Sequence, residues 1–443
     1  MEPLSRRAIF AQAWPIILGQ ALVPLVGIVD ATVIGRTGDA GALAGVALGV
    51  TVINLVFWTF GFLRMGVTGL TAQAKGAGDM REVPATLLRG LVLGVAIGAL
   101  LLAFSGLIVP TALALMSVPV EAERAAHAFT AARFFGAPGA LGFYVINGWL
   151  LGMGRTRLAL GCQLLMNGLN IVLDLLFVSG LHMGALGVGI GTALAEWSAL
   201  GVGLVAVHRV LGAGWWRMLK GEGLFAFAAM RRLIAVNLDI MIRTLALLIL
   251  FTWFARAGAR LGAVPLAANH VLMQFVSVSA FVLDGFAFTA EARVGAAVGA
   301  GSRTAFLRAV RLTGEFSLAG GLIFTLLIAL GGSVLIDLVT RDPAVRAQAA
   351  AMLPWCALIP LLGAPSWLLD GIFIGATRGR VLRNAAVAVT VAYLATDAAL
   401  RGLGDVGVWA ALLASYVYRA LSLGLCLPGL VRRVERADPA FVL

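Results

Sequence analysis

Charge is what this sequence has least of. Asp, Glu, Lys and Arg make up only 12% of its 443 residues, where an ordinary globular domain carries roughly a quarter. With 61% hydrophobic residues and a mean hydropathy of +0.99, a water-soluble fold is excluded. Cysteine is equally scarce. Cys162, Cys356 and Cys426 all lie in apolar runs without metal-ligand spacing, which assigns them to packing. There is no GxxxxGK[ST] loop, which argues against an ATP-driven pump in this chain. Glycine-rich strings such as GALGVGIG lie inside apolar runs with no strand before them, so they are not dinucleotide loops. No metal-ligand cluster and no polar catalytic cluster is visible, which argues against an enzyme and against any cofactor beyond a coupling H+ or Na+. The net charge of +12 is scattered between apolar runs rather than gathered in one stripe, which argues against nucleic acid as a partner. No small-residue cleavage site follows MEPLSRRAIFAQAWPIIL, and the apolar stretch continues past Val33. It reads as a first span, not a removed signal.

What the chain has in abundance is apolar runs of about 20 residues, each long enough to cross a hydrocarbon core of about 30 Å. The runs are continuous rather than alternating, which excludes a β-barrel. The pattern predicts an all-α polytopic membrane protein of twelve helices, near 8–34, 43–72, 86–109, 124–152, 158–180, 184–208, 231–255, 265–292, 307–335, 345–374, 381–400 and 405–430. Basic residues favour one set of loops, including Arg6, Arg7, Lys75, Arg81, Arg155, Arg157, Arg231, Arg232, Arg378 and Arg380. By the positive-inside bias this set, with both termini, is cytoplasmic, at the inner (plasma) membrane. Residues 212–232, with Trp215 and Trp216, suit a helix lying in the interface.

The chain also repeats itself. NGWLLGMGRTR (147–157) parallels DGIFIGATRGR (370–380), at an offset of 223 residues. The same offset carries AKGAG (74–78) onto AVGAG (297–301) and Asp174 onto Asp397. This predicts an N-terminal lobe (1–210, six spans), a connecting segment (211–230) and a C-terminal lobe (231–443, six spans). With an even number of spans in each copy, the lobes are related by a pseudo-two-fold axis along the membrane normal, an arrangement found in secondary transporters.

Polar groups inside such spans are costly. An Asp at the centre of a helix costs about 2.5–3.5 kcal/mol on insertion scales. Asp30 in PLVGIVDATVIG is the clearest case in the first span, where Pro15 and Pro24 permit a bend. In NGLNIVLD, Asn167, Asn170 and Asp174 are spaced by three and four residues and share one helical face, while Val172, Leu175 and Leu176 can face lipid. Amide oxygens and a carboxylate are hard ligands suited to Na+, and a carboxylate away from water is equally suited to a proton. Thr192 offers a hydroxyl in the small-residue sixth span. Further charges at depth are Arg64, Asp239, Arg243, Asp284, Glu291, Glu315, Asp370 and Asp397. Asp239 and Arg243, four apart, could pair on one helix in a structural role. Arg64 needs a partner that spacing does not name. Candidate substrate contacts are Arg64, Asn167, Asp239, Arg243, Asp284, Asp370 and Asp397. His127 and His182 are expected to be solvated.

Five stretches, in order, carry a resemblance: FLRMGVTGLTAQAKGA, GAPGALGFYVINGWLLGMGRTR, NGLNIVLDLLFVSGLHMGALGVGIGTALAE, FVLDGFAFTAEARVGAAVGA and LLDGIFIGATRGRVLRN. The chain resembles the multidrug and toxic compound extrusion (MATE) family, in its DNA-damage-inducible protein F branch. The resemblance implies two six-helix lobes around a cleft and export of cationic or amphipathic compounds in exchange for inward H+ or Na+. It implies an ion-coupling site of Asp30, Asn170, Asp174 and Thr192, which would also ligate Na+ if Na+ is the ion. The family's frequent Tyr ahead of the fourth-span GAP is Phe129 here. Expected partners are small organic substrates and membrane lipid, with the chain working as a monomer. The competing expectation within transport is a lipid-linked precursor flippase of the same superfamily.

Overall fold

The computed structural model describes residues 4–116, 118–212, 214–215 and 224–435, apart from the side chains at 23 and 25. Among these residues every regular element is helical. The first half comprises α1 (Arg6–Gly35), α2 (Ala40–Thr59), α3 (Phe62–Gly76), α4 (Glu82–Ala103), α5 (Ser105–Leu115), α6 (Val120–Phe135), α7 (Ala137–Gly152), α8 (Thr156–Asp174) and α9 (Gly184–Leu211). The second half comprises α10 (Phe227–Arg260), α11 (Ala263–Gly299), α12 (Arg303–Val339), α13 (Pro343–Gly375), α14 (Gly379–Leu400) and α15 (Asp405–Glu435). Among the described residues eleven stretches are long and apolar enough to cross a membrane, and the bent pair α6–α7 makes up to twelve.

Three expected continuous spans are broken. The second divides into α2 and α3 at Phe60–Gly61, and the third runs on through α5 to Leu115. The fourth bends by 51° between α6 and α7. The bend falls at Gly136, just before Pro138, whose missing N–H cannot continue the ladder of α6. By contrast α1 is one uninterrupted helix across Pro15 and Pro24. Of the segment expected to lie in the interface, 213 and 216–223 fall outside the described residues, and 227–232 already belong to α10. Trp215 is described, is buried, and donates its indole N–H to His208 at 3.3 Å.

Helices start where short polar side chains can cap them. Asp39 accepts from the Ala42 amide at 2.9 Å, Ser302 from Ala305 at 3.3 Å, and Asp342 from Ala344 at 2.8 Å with Pro343 in the first turn. Each satisfies donors that a helix N-terminus leaves orphaned. The outward faces are apolar: Leu330, Leu338 and Leu425 are 82%, 78% and 82% exposed, as side chains against acyl tails must be.

The duplication is written into the helices. Ala40 and Ala263, Val120 and Pro343, and Thr156 and Gly379 are helix starts 223 residues apart. Close helix crossings repeat at the same interval. A Cβ on Gly98 would meet the Ala137 carbonyl, and one on Gly321 the Pro360 carbonyl. Gly148 lies against the Arg64 carbonyl as Gly371 lies against that of Ala287. In lipid, where helices gain little from apolar contact, such small-residue approaches hold them together.

Two compact units result. The N-terminal unit comprises Leu18–Thr71 and Asp79–Ile234, and the C-terminal unit Met1–Ile17, Ala72–Gly78 and Ala235–Leu443. The units are thus not strict halves of the chain. The start of α1 packs within the C-terminal unit, with Phe10 against Phe316 at 6.2 Å and Ile17 against Gly285.

Candidate functional site: a buried acidic pair in the N-terminal unit

α8 turns Asn167, Asn170 and Asp174 to the protein interior, at 8%, 2% and 0% exposure. Val172, Leu175 and Leu176 on the other side are exposed. The Asn170 amide donates to Asp174 Oδ2 at 3.2 Å and to Thr192 Oγ1 of α9 at 2.9 Å. The Thr192 hydroxyl donates to the Val188 carbonyl at 2.9 Å, so its oxygen stays turned toward Asn170. From α1, buried Asp30 meets the Asp174 carboxyl side chain to side chain. Asp30, Asn170, Asp174 and Thr192 are therefore brought together by three helices.

The electrostatics of this cluster are unusual. Two carboxylates can share a hydrogen bond only if one carries a proton. Held as two anions about 4 Å apart, they would repel by roughly 4 kcal/mol at an effective dielectric near 20. Oδ1 of Asp30, Oδ1 of Asp174 and Oδ1 of Asn170 are all buried without a hydrogen-bond partner. Buried polar atoms in that state are rare in native proteins. The donor set is carboxylate, carboxylate, amide oxygen and hydroxyl, which suits a proton or a small hard cation such as Na+. Among the described residues there is no group of three or more His, Cys, Asp or Glu disposed to hold a metal, so any Na+ site here depends on the neutral oxygens of Asn170 and Thr192. α8 passes into a π-helical turn, Leu175–Gly180, directly after Asp174. Such turns are frequent at functional sites.

A second buried charge pair lies beside the acidic one. Arg133 of α6 and Glu196 of α9 approach to 2.7 Å, with side chains 9% and 10% exposed. The contact is ionic rather than a well-aligned hydrogen bond. Arg133 also lies 5.5 Å over the Phe57 ring and acts electrostatically on both Asp30 and Asp174. Neither Arg133 nor Glu196 was singled out by spacing, although each is an ionisable residue within an apolar span, which is itself a signal. Arg64, half-buried, interacts electrostatically with Tyr144. Asn167 sits one turn before Asn170 with its amide nitrogen buried and without a partner. Phe129 is buried against Gly49 in the apolar core of this unit.

The C-terminal unit uses its charges differently, and of the two readings open for Asp239 and Arg243 the pairing on one helix is not the one observed. Asp239 and Arg243 do not pair with each other. Asp239 takes an ion pair from Arg383 of α14 at 2.8 Å, while Arg243 pairs with Asp370 of α13. A spacing of four permits pairing on one helix, but interior carboxylates on neighbouring helices win these cations. Asp370 also pairs with Arg419 of α15, and Asp284 and Glu291 act on Arg243 electrostatically. Asp397 accepts from Trp253 at 2.9 Å and Arg260 at 2.8 Å. Asp239, Arg243, Asp370 and Asp397 are thus engaged in ion pairs. Glu315 is tied to Arg6 at 2.9 Å and Arg311 at 3.0 Å. His127 and His182 are exposed.

Such a fold defines a polytopic helical membrane protein with a buried acidic cluster in one unit. Comparison with known proteins makes the class specific. The MatE family pattern matches residues 15–176 and 240–398, which are two copies of one unit. DNA damage-inducible protein F of Escherichia coli (strain K12) is 37% identical over 421 residues, covering 95% of this chain and 91% of its own. A probable multidrug resistance protein NorM of Halalkalibacterium halodurans is 24% identical, covering 96% and 94%. A crystal structure of a MATE protein in the bent conformation superimposes with a TM-score of 0.86 at 18% identity, covering 97% and 96%. The chain belongs to the MatE family of multidrug and toxic compound extrusion transporters.

Proposed function

We propose that this chain is a secondary active antiporter that exports cationic or amphipathic small molecules in exchange for inward H+ or Na+. The single observation that carries the reading is the Asp30–Asp174 pair, buried in apolar spans beside the orphaned oxygen of Asn170. Two such carboxylates are stable only when their charge is shared with a proton or a small cation, so occupancy by that ion is coupled to the state of the helices bearing them. An ion arriving from outside neutralises the pair and favours release of the exported compound. A change of access then delivers the ion to the cytoplasm, and the re-ionised pair favours the next substrate cation. The multidrug resistance relatives support the substrate class. In this reading both termini are cytoplasmic, the membrane is the inner (plasma) membrane and the monomer is the working unit. Asn167, one turn away on the same face, is the nearest candidate for a substrate contact.

Reconstitution of the whole chain in vesicles tests this. A lipophilic cationic dye should move when a pH or Na+ gradient is imposed, and the ionophore that collapses the effective gradient should stop it. Asp30→Asn and Asp174→Asn should each lower the rate at least about tenfold, the loss expected for about 1.4 kcal/mol or more of coupling. Full-rate transport by Asp30→Asn at normal membrane abundance would rule the role out.

A further inference from the structure

The offset of 223 residues carries the whole acidic site, not Asp174 alone, into the second half. Asp30 falls on Trp253, Asn170 on Tyr393, Asp174 on Asp397 and Thr192 on Ser415. Three of these counterparts gather again in the C-terminal unit. The Trp253 indole N–H donates to Asp397 Oδ2 at 2.9 Å. Tyr393 lies one turn before Asp397, fully buried, its hydroxyl without a hydrogen-bond partner yet within electrostatic reach of Asp397 and Arg260. What differs is the cation. The Arg260 guanidinium donates to the same Asp397 oxygen at 2.8 Å and lies 5.8 Å over the Trp253 ring. Arg401 stands 4.0 Å from that oxygen, and Arg256 covers Trp253 at 5.4 Å. A cavity of about 190 Å³ adjoins the pair, lined by Arg260, Asp397, Arg401 and Gly404 among others.

We propose that Asp397 is the C-terminal copy of the acidic ion site and that Arg260 occupies it as a built-in cation, so that each chain exchanges ions at one site and not at two. The inference rests on reading Asp30 and Asp174 as the exchangeable site. A guanidinium stays protonated at any physiological pH, so this copy neither loads nor releases an ion. The change from an acid to Trp253 at the position of Asp30 leaves one carboxylate, a charge that one tethered cation balances. Without Arg260, Asp397 retains the more distant Arg401, the Tyr393 hydroxyl and a cavity large enough for a hydrated monovalent cation. It then becomes an exchangeable site.

The test uses the purified full chain in detergent carrying Asp30→Asn and Asp174→Asn, which silences the N-terminal site. Adding Arg260→Met should make the melting temperature rise by roughly 4 °C on adding Na+ or on acidification. Arg260→Lys, which keeps a tethered cation, and Arg260→Met with Asp397→Asn, which removes the carboxylate, should show no such rise. If Arg260→Met does not yield folded protein, Arg260→Gln, which keeps a hydrogen bond to Asp397, carries the same expectation. A melting temperature in the uncharged Arg260 variant no more sensitive to Na+ or acid than that of the double change overturns the proposal. Failure of the Asp30–Asp174 reading would show separately, as unimpaired flux in the Asp30→Asn vesicles.

Discussion

Asp174 is fully buried on a helix whose opposite side is exposed, and its neighbours leave no spare room. A Cβ at Gly191 would stand 2.5 Å from Asp174 Oδ1. Because the atom pressed is a carboxylate oxygen of the site itself, the clash cannot be relieved without moving the acid. Gly191→Ala should therefore lower the apparent affinity for the coupling ion by roughly tenfold, read as the half-saturating ion concentration for dye transport. Its folding should suffer less, since alanine suits a helix better than glycine by about 1 kcal/mol. Gly161→Ala, where a Cβ meets nothing within 4 Å, is the matched control and should leave transport unchanged.

At the scale of elements, α6, α8 and α9 hold the site by polar clasps as much as by small-residue packing. The Arg133–Glu196 pair bridges α6 and α9, and Asn170 with Thr192 bridges α8 and α9. Removing one member of a buried ion pair leaves the other uncompensated and costs about 3–5 kcal/mol, whereas replacing both is often nearly neutral. Arg133→Met and Glu196→Gln alone should each lower the melting temperature of detergent-purified protein, and the double change should recover most of the loss. Arg133 also balances the acidic pair. The double variant should therefore recover stability but not transport, and its flux should stay several-fold below that of the unaltered chain. If flux and stability recover together, the pair is purely a clasp.

For the whole molecule, the two halves have kept one framework and diverged in charge. The crossings at Gly98 and Gly321, and at Gly148 and Gly371, are the same contact made twice. The interior carboxylates are not equivalent. Asp30 and Asp174 face each other, whereas Asp370 and Asp397 are held by arginines. A transporter with a single exchangeable acidic pair should show a Hill coefficient of about 1 for the coupling ion. Flux measured against ion concentration at fixed dye checks this, and a coefficient near 2 would point to a second loading site.

The class of fold follows from the order of residues alone. Long apolar runs in a chain with 12% charge have one stable arrangement in lipid, helices that satisfy their own backbones, and the 223-residue repeat is legible in the residues themselves. The face shared by Asn167, Asn170 and Asp174 was legible too, because a spacing of three and four is geometry internal to one helix. Which helices meet is fixed by packing in three dimensions. That Asp30 closes on Asp174, that Arg133 stands beside them, and that Arg243 leaves Asp239 for Asp370 are contacts across helices far apart in sequence, which no local spacing encodes. Breaks at Gly136 and after Asp174 were likewise hidden, since an apolar run reads the same whether its helix is straight, bent or locally widened. One cause underlies all of these. Burial in lipid selects helices one at a time, but an ionisable group inside them is settled by whichever partner packing brings within reach.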